Sequence, residues 1–336
     1  MRKITVILFL LFLFVKPCCS QKYYLTNQYV YDLFQMNPAA AAFHKNCVTA
    51  TGIFQKQWFG TDLAPTYQLF SFQIPVMQQL GSGTYVYNDR NGYYKEMGLH
   101  QAFSYELQLK KSKRRAITLS FGLAFTLEQS SLQIEELMDP DYFDPVISGS
   151  NESGWGFNAS TGILLKYNDY HIGLGVTNLL PQNNPMYTHE DEPKLTTDMH
   201  FHAGGSYKIP DRDFYIEPTF LYRRNMYVDS RMDANLKLYM PTPDPDWALW
   251  GLVSYRHTTE EKIGKSLGMA LTGGVVFKNV SVGLEYQFGL TKARSAYGNT
   301  YQLVINYRVC RDKSKSAIPC SIERRNKRHN YKFLSY

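Results

Sequence analysis

Residues 117–127 read ITLSFGLAFTL and residues 280–290 read VSVGLEYQFGL. In both stretches apolar side chains alternate strictly with small or polar ones, which is the period of a β-strand with one apolar face and one polar face. A tilted strand needs about ten residues to cross a membrane, whereas strands of soluble proteins average about half that length. The two stretches therefore predict strands of a transmembrane β-barrel whose apolar face contacts lipid.

The same alternation recurs along the chain and gives fourteen candidate strands. An even number is what bacterial single-chain barrels require when both termini lie in the periplasm. We therefore predict an all-β fold, a 14-stranded antiparallel transmembrane β-barrel, rather than a large soluble β-sandwich or propeller. The candidate strands are 47–58, 65–74, 80–88, 94–109, 115–127, 155–166, 170–178, 199–209, 213–224, 229–239, 247–257, 267–277, 279–290 and 299–310.

The connections between these strands separate by length. The two longest, 128–154 and 179–198, follow odd-numbered strands, whereas short ones at 167–169 and 210–212 follow even-numbered strands. Outer-membrane barrels place tight turns in the periplasm and long loops outside, so this pattern predicts the topology and an outer-membrane location. Tyrosines near the strand ends are expected to form interfacial girdles: Tyr85, Tyr87, Tyr93, Tyr94, Tyr105, Tyr222, Tyr227, Tyr255, Tyr301 and Tyr307.

The two ends of the chain differ from its body. Residues 1–20 have a cationic start and an apolar run over 4–15, which is too short to span a bilayer comfortably and is typical of a secretory signal. Residues 311–336 carry eight Lys/Arg against two acidic residues, while 21–310 is nearly neutral, so no basic face for nucleic acid is indicated. The basic tail is either a solvated end or a periplasmic contact for an acidic partner or lipid head groups.

Residues 21–46 are predicted to form a short periplasmic segment that tucks under or into the barrel mouth. Apolar residues with helical spacing begin at Val30, and Pro38 then forces Asn37 out of the α region. The expected organisation is a signal peptide at 1–20, this segment at 21–46, the barrel at 47–310 and a basic periplasmic tail at 311–336.

Three short motifs carry a resemblance to a known family. They are Asn37-Pro38-Ala39, then Lys56-Gln57-Trp58 with Gly60, then Pro65-Thr66. Together they resemble the start of the PorP/SprF family, outer-membrane proteins of the type IX secretion and gliding machinery of Bacteroidetes. The resemblance covers about 21–310. It departs from the family pattern at Gln55, where Arg is usual, at Tyr301-Gln302, where His-Glu is usual, and in the basic tail.

The resemblance implies a non-enzymatic barrel that acts in secretion or holds secreted surface proteins. The implied partners are outer-membrane lipid, periplasmic secretion-system proteins and a secreted surface protein or adhesin, with no nucleic acid. The residues also leave a second function open, a channel or transporter for a small solute, which could be hydrophobic. The small lumen residues leave room for either a pore or a plug: Ser120, Gly122, Ala124 and Gly283. No G-x-S-x-G elbow occurs, and we expect no enzyme.

Three groups of residues raise the question of a phosphate or metal site. Gly81-Ser82-Gly83 leads into a strand instead of a helix, which disfavours phosphate binding. His200 and His202 share one strand face but have no acidic or Cys partner nearby, so we expect lumen or interface histidines. An acidic loop could hold Ca²⁺, but a solvated loop is the favoured interpretation; its residues are Glu135, Glu136, Asp139, Asp141 and Asp144. No cofactor and no metal are therefore expected.

The cysteines raise the question of a disulfide. Cys47 begins the first candidate strand and Cys310 ends the last, and these two strands must pair to close a barrel. A disulfide across this seam is possible, and so is one between Cys310 and Cys320 in the tail. Removal of the signal peptide would leave three cysteines, an odd number that excludes a disulfide framework.

Overall fold

A computed structural model describes residues 28–44, 46–59, 63–111, 116–133, 152–180, 196–210, 214–225, 230–244, 246–258, 266–289 and 299–310. The helical elements are α1 (Gln28–Tyr31) and two 3-10 helices, Leu33–Gln35 and Pro38–Ala40. Within these ranges no helix has the length and apolar character needed to cross a membrane. The strands are β1 Cys47–Lys56, β2 Thr66–Pro75, β3 Leu80–Asn91, β4 Tyr94–Lys111, β5 Ala116–Leu132, β6 Glu152–Tyr167, β7 Tyr170–Thr177, β8 Asp198–Gly205, β9 Tyr207–Lys208, β10 Tyr215–Asn225, β11 Ser230–Pro241, β12 Trp247–Thr258, β13 Ser266–Phe277, β14 Val280–Phe288 and β15 Thr300–Cys310.

The strands form one closed antiparallel sheet. Strands that follow one another in sequence pair, and β15 pairs with β1 to complete the circle. β8 and β9 both pair with β10 and are separated only by Ser206, so together they make one strand of the barrel. The predicted 14-stranded antiparallel β-barrel is therefore confirmed. We name the end that carries the turns 168–169 and 278–279 the short-turn end, and the opposite end, from which the connections after β5 and β7 leave, the long-loop end.

The predicted strand boundaries lie within three residues of the observed ones, except at the end of β5. That strand continues to Leu132 instead of ending at 127. Residues 128–131 are all polar and break the alternation that the prediction used. Their backbone nevertheless keeps the ladder, because Glu128 pairs with Gly98 on one side and with Gly156 on the other.

Burial alternates along the strands as the sequence predicts. In β14, Leu284 is 60% exposed while the adjacent Glu285 is fully buried. The described strands all belong to this one sheet, so the exposed apolar side chains form the lipid-facing surface and the buried side chains line the lumen. The core of the protein thus lies inside the barrel.

A tyrosine girdle requires side chains that face outward, and only some of the predicted tyrosines do. The outward-facing tyrosines, each at least 40% exposed, include Tyr105, Tyr255, Tyr301 and Tyr307. Tyr85 and Tyr87 instead face the lumen, because they share the parity of the buried Gly83 on β3. Tyr85 stacks on His100 with 4.4 Å between the ring centres.

A disulfide joins the first strand to the last. Cys47 and Cys310 are bonded and lie opposite each other in the β1–β15 register. The two residues are 263 positions apart in sequence. A crosslink between such distant residues removes much conformational entropy from the unfolded chain.

Replacing Cys310 with Ala should lower the free energy of unfolding by about 2–5 kcal/mol, because the unfolded chain regains that entropy. Urea unfolding in lipid vesicles measures this change. Cys320→Ala is the matched control and should leave stability unchanged. Peptide mapping of the wild-type protein without reductant should recover the Cys47 and Cys310 peptides linked; a Cys310–Cys320 link would contradict the assignment.

Candidate functional site

Residues 28–44, which we call the plug, lie inside the barrel. Phe34, Asn37, Ala40 and Ala41 are at most 1% exposed. The plug forms hydrogen bonds with β2, β4, β6, β8, β11, β13 and β14, and so with walls all around the lumen. The sequence left open whether the segment lies under the mouth or in it; these residues lie within it.

Asn37 is at the centre of the plug. The proline that follows it excludes the α conformation, and Asn37 has an extended backbone with φ −144° and ψ 109°. Its side-chain oxygen accepts a hydrogen bond from the Ala39 N–H at 2.9 Å. The amide nitrogen therefore points the other way, where it lies 2.9 Å from both the Ile163 carbonyl and His202 Nε2. Asn37-Pro38-Ala39 thus caps a 3-10 helix and ties the plug to β6 and β8.

The wall against Asn37 has almost no side chains. It is formed by four glycines, which we call the glycine saddle: Gly122, Gly162, Gly173 and Gly175. A Cβ at Gly122 would lie 2.1 Å from the Ala39 nitrogen, and a Cβ at Gly175 would lie 2.1 Å from the Met36 oxygen. Such distances are far below van der Waals contact, so the plug backbone can lie against these strands only where they carry glycine.

Asp32 anchors the plug to β2. Its carboxylate accepts hydrogen bonds from the Ser71 hydroxyl and from the Gln73 amide, the latter at 2.8 Å. The Gln73 side-chain oxygen in turn accepts the Ala42 N–H at 2.9 Å. Burial raises the pKa of Asp32, which belongs to the plug and not to a spanning strand, and these donors oppose that shift. The charged form of this carboxyl group is therefore stabilised mainly by the lumen wall.

Two tyrosines bind the plug to β11 and β14, across the lumen from the glycine saddle. The Tyr29 hydroxyl accepts from the Asn235 amide at 2.5 Å, and the Tyr31 hydroxyl donates to Glu285 at 2.9 Å. Burial raises the pKa of both hydroxyls, so both stay neutral. Asn235 on β11 and Glu285 on β14 are thus hydrogen-bond partners of the plug.

The last residues of the plug contact β4 and β6. The Ser104 hydroxyl donates to the Ala41 carbonyl at 2.6 Å. The Lys166 ammonium donates to the Phe43 carbonyl at 3.2 Å and forms an ion pair with Glu106 at 2.7 Å. Backbone groups that have no helix or sheet partner here are satisfied by lumen side chains. The arrangement therefore holds a segment in place.

Ion pairs line the wall formed by β8, β10 and β11. The pairs are Arg223–Asp198 at 2.8 Å, Arg231–Asp233 at 3.3 Å and Lys237–Glu217 at 3.1 Å. Pairing neutralises charge that would be costly away from water, and it favours one arrangement of the wall.

The second and third motifs lie away from the plug. Lys56 ends β1 at the long-loop end, and Gln57 and Trp58 follow it. Lys56 pairs with Thr66, and the Gln57 N–H donates to the Pro65 carbonyl at 2.8 Å. The structure thus joins these two motifs in one hairpin but does not bring them to Asn37-Pro38-Ala39. Gly60 lies outside the described residues.

The two candidate histidines of β8 each lie within hydrogen-bond distance of a neighbouring side chain. His202 binds Asn37, and His200 Nε2 lies 3.1 Å from the Thr177 hydroxyl. In the part of the chain that the structure describes, no group of three His, Cys, Asp or Glu residues is placed to hold a metal ion. Five predictions lie outside the described residues: the acidic loop, the signal peptide, the tail with Cys320, Gly60 of the second motif and Tyr227 of the predicted girdle.

The sequence analysis missed several plug contacts. Ser71 and Gln73 alternate with apolar residues of β2, and this parity could have placed them on the lumen face. Their partner Asp32 could not have been identified in this way, because it lies 39 residues before Ser71 and outside any strand.

One protein family and several solved structures are similar to this chain. The family model described as "Type IX secretion system membrane protein PorP/SprF" matches residues 19–307. No curated protein matches. Among solved structures, the CymD monoaromatic hydrocarbon channel has a TM-score of 0.47 at 12% identity, with 86% of this chain and 94% of that chain covered. The toluene transporter TbuX of Ralstonia pickettii has a TM-score of 0.43 at 12% identity, with 82% and 92% covered. CdiB from Acinetobacter baumannii has a TM-score of 0.40 at 8% identity; 79% of this chain is covered, and it spans 60% of that chain.

Gly122→Ala should displace the plug, because the new methyl group would overlap the Ala39 backbone. We expect faster proteolytic cleavage between residues 28 and 44 in the folded barrel. Gly52→Ala is the matched control, since a Cβ there meets nothing within 4 Å. Equal cleavage rates in the two variants would contradict the close packing of the plug against the glycine saddle.

Asp32→Asn should reduce the pH dependence of plug retention. A carboxyl group whose pKa is raised by folding contributes most stability below its unfolded value of 3.8, and that contribution is lost as the pH rises through the raised value. Asn can accept from Gln73 and donate to the Ser71 hydroxyl, so the contacts persist. Hydrogen exchange of the plug amides measures this effect. The exchange rate of the wild type divided by that of the variant should rise with pH above about 4. A ratio that does not change with pH would contradict the prediction.

Proposed function

The chain belongs to the PorP/SprF family of type IX secretion system membrane proteins, and on that premise we propose that it is a docking subunit of the secretion machinery. In this proposal the barrel binds periplasmic secretion-system proteins at its short-turn end and a secreted surface protein or adhesin at its long-loop end. The family and the barrel fold are those of a structural or transport membrane protein rather than an enzyme.

The plug is the observation that best supports docking. It is bonded to strands on opposite sides of the lumen, through Asn37 on one side and Tyr31 on the other. A segment fixed at both walls obstructs passive flow, whereas a docking subunit needs no open lumen. A filled barrel also offers a stiff platform, because its wall and its contents are hydrogen-bonded to each other.

Three finer points belong to the same proposal. The protein would be exported by the signal peptide at 1–20, would reside in the outer membrane of a member of the Bacteroidetes and would serve secretion or gliding motility. The basic tail at 311–336 would provide a periplasmic contact, because its eight Lys/Arg attract an acidic surface.

The alternative function is a channel for a small solute. A cavity beside the plug gives this alternative its one structural support, since displacement of the plug would extend that cavity into a path.

Crosslinking in native outer membranes, followed by affinity purification and mass spectrometry, tests the proposal. We expect to recover periplasmic secretion-system proteins and a surface protein with the full chain, and to lose the periplasmic proteins when residues 311–336 are deleted. Purified wild-type protein in liposomes should give no selective solute flux, whereas Gly122→Ala should, as the control that the assay detects an opened lumen. Selective solute flux through the wild-type protein, together with no co-purified proteins, would contradict the docking function and support the channel function.

A further inference from the structure

The outer surface of the barrel carries three cations near the long-loop end. Lys56 on β1, Arg90 on β3 and Lys95 on β4 occupy outward positions, because each shares the parity of an exposed apolar residue of its own strand. Arg90 is exposed, and Lys56 and Lys95 are partly exposed. The apolar residues that set the parity are Phe54, Val86 and Met97, which are 45%, 46% and 47% exposed.

The sheet register places these cations in one row. Lys56 pairs with Thr66, which in turn pairs with Arg90, and Arg90 lies directly opposite Lys95. We call these four residues the cationic row. Neighbouring strands are about 4.8 Å apart, so the row spans about 14 Å and its long side chains can converge on one ligand. Arg90 Nε donates to the Gly92 carbonyl at 3.2 Å, which leaves the two terminal nitrogens of the guanidinium for that ligand.

The row contains a pair of like charges. Arg90 and Lys95 are direct cross-strand neighbours, an arrangement that destabilises a sheet when both residues are cations. Neither residue forms an ion pair with any residue that the structure describes. Asp89 and Glu96 are adjacent in sequence but have the opposite parity and face the lumen, where Glu96 accepts from the Tyr87 hydroxyl at 2.9 Å. The outward pair therefore calls for an anion from outside the described chain.

Aromatic residues place the row at the depth of lipid head groups. Tyr301 on β15 pairs with Lys56 and is 40% exposed. The centre of its ring lies 5.1 Å from that of Phe59 and 5.2 Å from that of Tyr286. The Lys56 ammonium lies 4.9 Å from the centre of the Phe59 ring. Outward aromatic residues of membrane barrels cluster where hydrocarbon meets the head groups, so the cationic row lies at that boundary.

The surface next to the row changes from polar to apolar towards the middle of the barrel. The next outward residues are the amides Gln68 on β2 and Asn88 on β3, which pair with each other. The outward row after them is apolar, and its exposed members on β2, β3 and β4 are Phe70, Val86 and Leu99. Cations, then amides, then apolar side chains match a lipid with an anionic head group, polar linkages and acyl chains.

We propose that the cationic row is a binding site for a phosphorylated lipid of the leaflet at the long-loop end. Its phosphate groups accept paired hydrogen bonds from Arg90 and bind the ammonium groups of Lys56 and Lys95. The polar linkages of the lipid contact Gln68 and Asn88, and its acyl chains pack on the apolar surface beyond them. The site is independent of the docking function, because the purified protein should bind the lipid without any protein partner.

Native mass spectrometry of the purified protein, released from detergent after incubation with lipid, tests the proposal. The two probes have the same sugars and acyl chains: diphosphoryl lipid A, and the same lipid after removal of both phosphates. We expect the wild type to bind the phosphorylated lipid about tenfold or more tightly, as hydrogen bonds to a charged group would give. The double variant Arg90→Gln with Lys95→Gln should lose most of this preference.

Arg224→Gln is the matched control. Arg224 is also an exposed, outward-facing arginine near the long-loop end, but its cross-strand neighbours are the uncharged Met199 and Ser230. This variant should keep the full preference for the phosphorylated lipid. An equal loss of preference in Arg224→Gln and in the double variant would overturn the proposal, because attraction by net charge alone would then explain the binding.

Urea unfolding in vesicles gives a second readout for the double variant. In phosphatidylcholine vesicles the variant should be at least as stable as the wild type, because the opposed like charges are gone. Addition of diphosphoryl lipid A should stabilise the wild type and leave the variant unchanged, since a ligand stabilises the folded state that binds it. Equal binding of the two lipids by the wild type, or equal stabilisation of wild type and variant by lipid A, would overturn the proposal.

Discussion

Every backbone N–H and C=O group that meets lipid must be paired within the protein, because the hydrocarbon offers no partner. A closed sheet meets this requirement, and here closure depends on the pairing of β1 with β15, which the Cys47–Cys310 bond reinforces. Closure with fourteen strands has a second consequence. A barrel of this size encloses more space than its own wall side chains fill, so the lumen has to hold something else.

The plug meets that need but brings an irregular backbone into a buried space. Lumen side chains satisfy three of its backbone groups: Gln73 accepts from the Ala42 N–H, Ser104 donates to the Ala41 carbonyl and Lys166 donates to the Phe43 carbonyl. Part of the polar lumen face, which resembles a channel lining, is therefore the hydrogen-bond complement of the plug. The same requirement explains Gly122 and Gly175 of the glycine saddle, where the two backbones approach too closely for any side chain.

This construction favours a fixed scaffold over an open conduit. The plug is bonded to opposite walls, so displacing it would break contacts to several strands at once. Its close approach to one wall also leaves a cavity between the plug and the walls that include β8, β10, β12 and β15.

The sequence by itself determined the strands, their number and the face that each presents, because alternation is a local property that the contrast between lipid and lumen imposes on every strand. It also determined that Asn37 is extended, since Pro38 acts on its immediate neighbour. The local pattern was misleading at two places. At β5 the backbone pairing continues beyond the residues that alternate. Tyr85 and Tyr87 were assigned to the membrane interface because they are tyrosines, but their position in the alternation of β3 directs them into the lumen. Only the tertiary structure decided what Asn37 binds. Ile163 and His202 are 126 and 165 residues away, and they reach Asn37 because the register and closure of the whole barrel bring β6 and β8 to the plug.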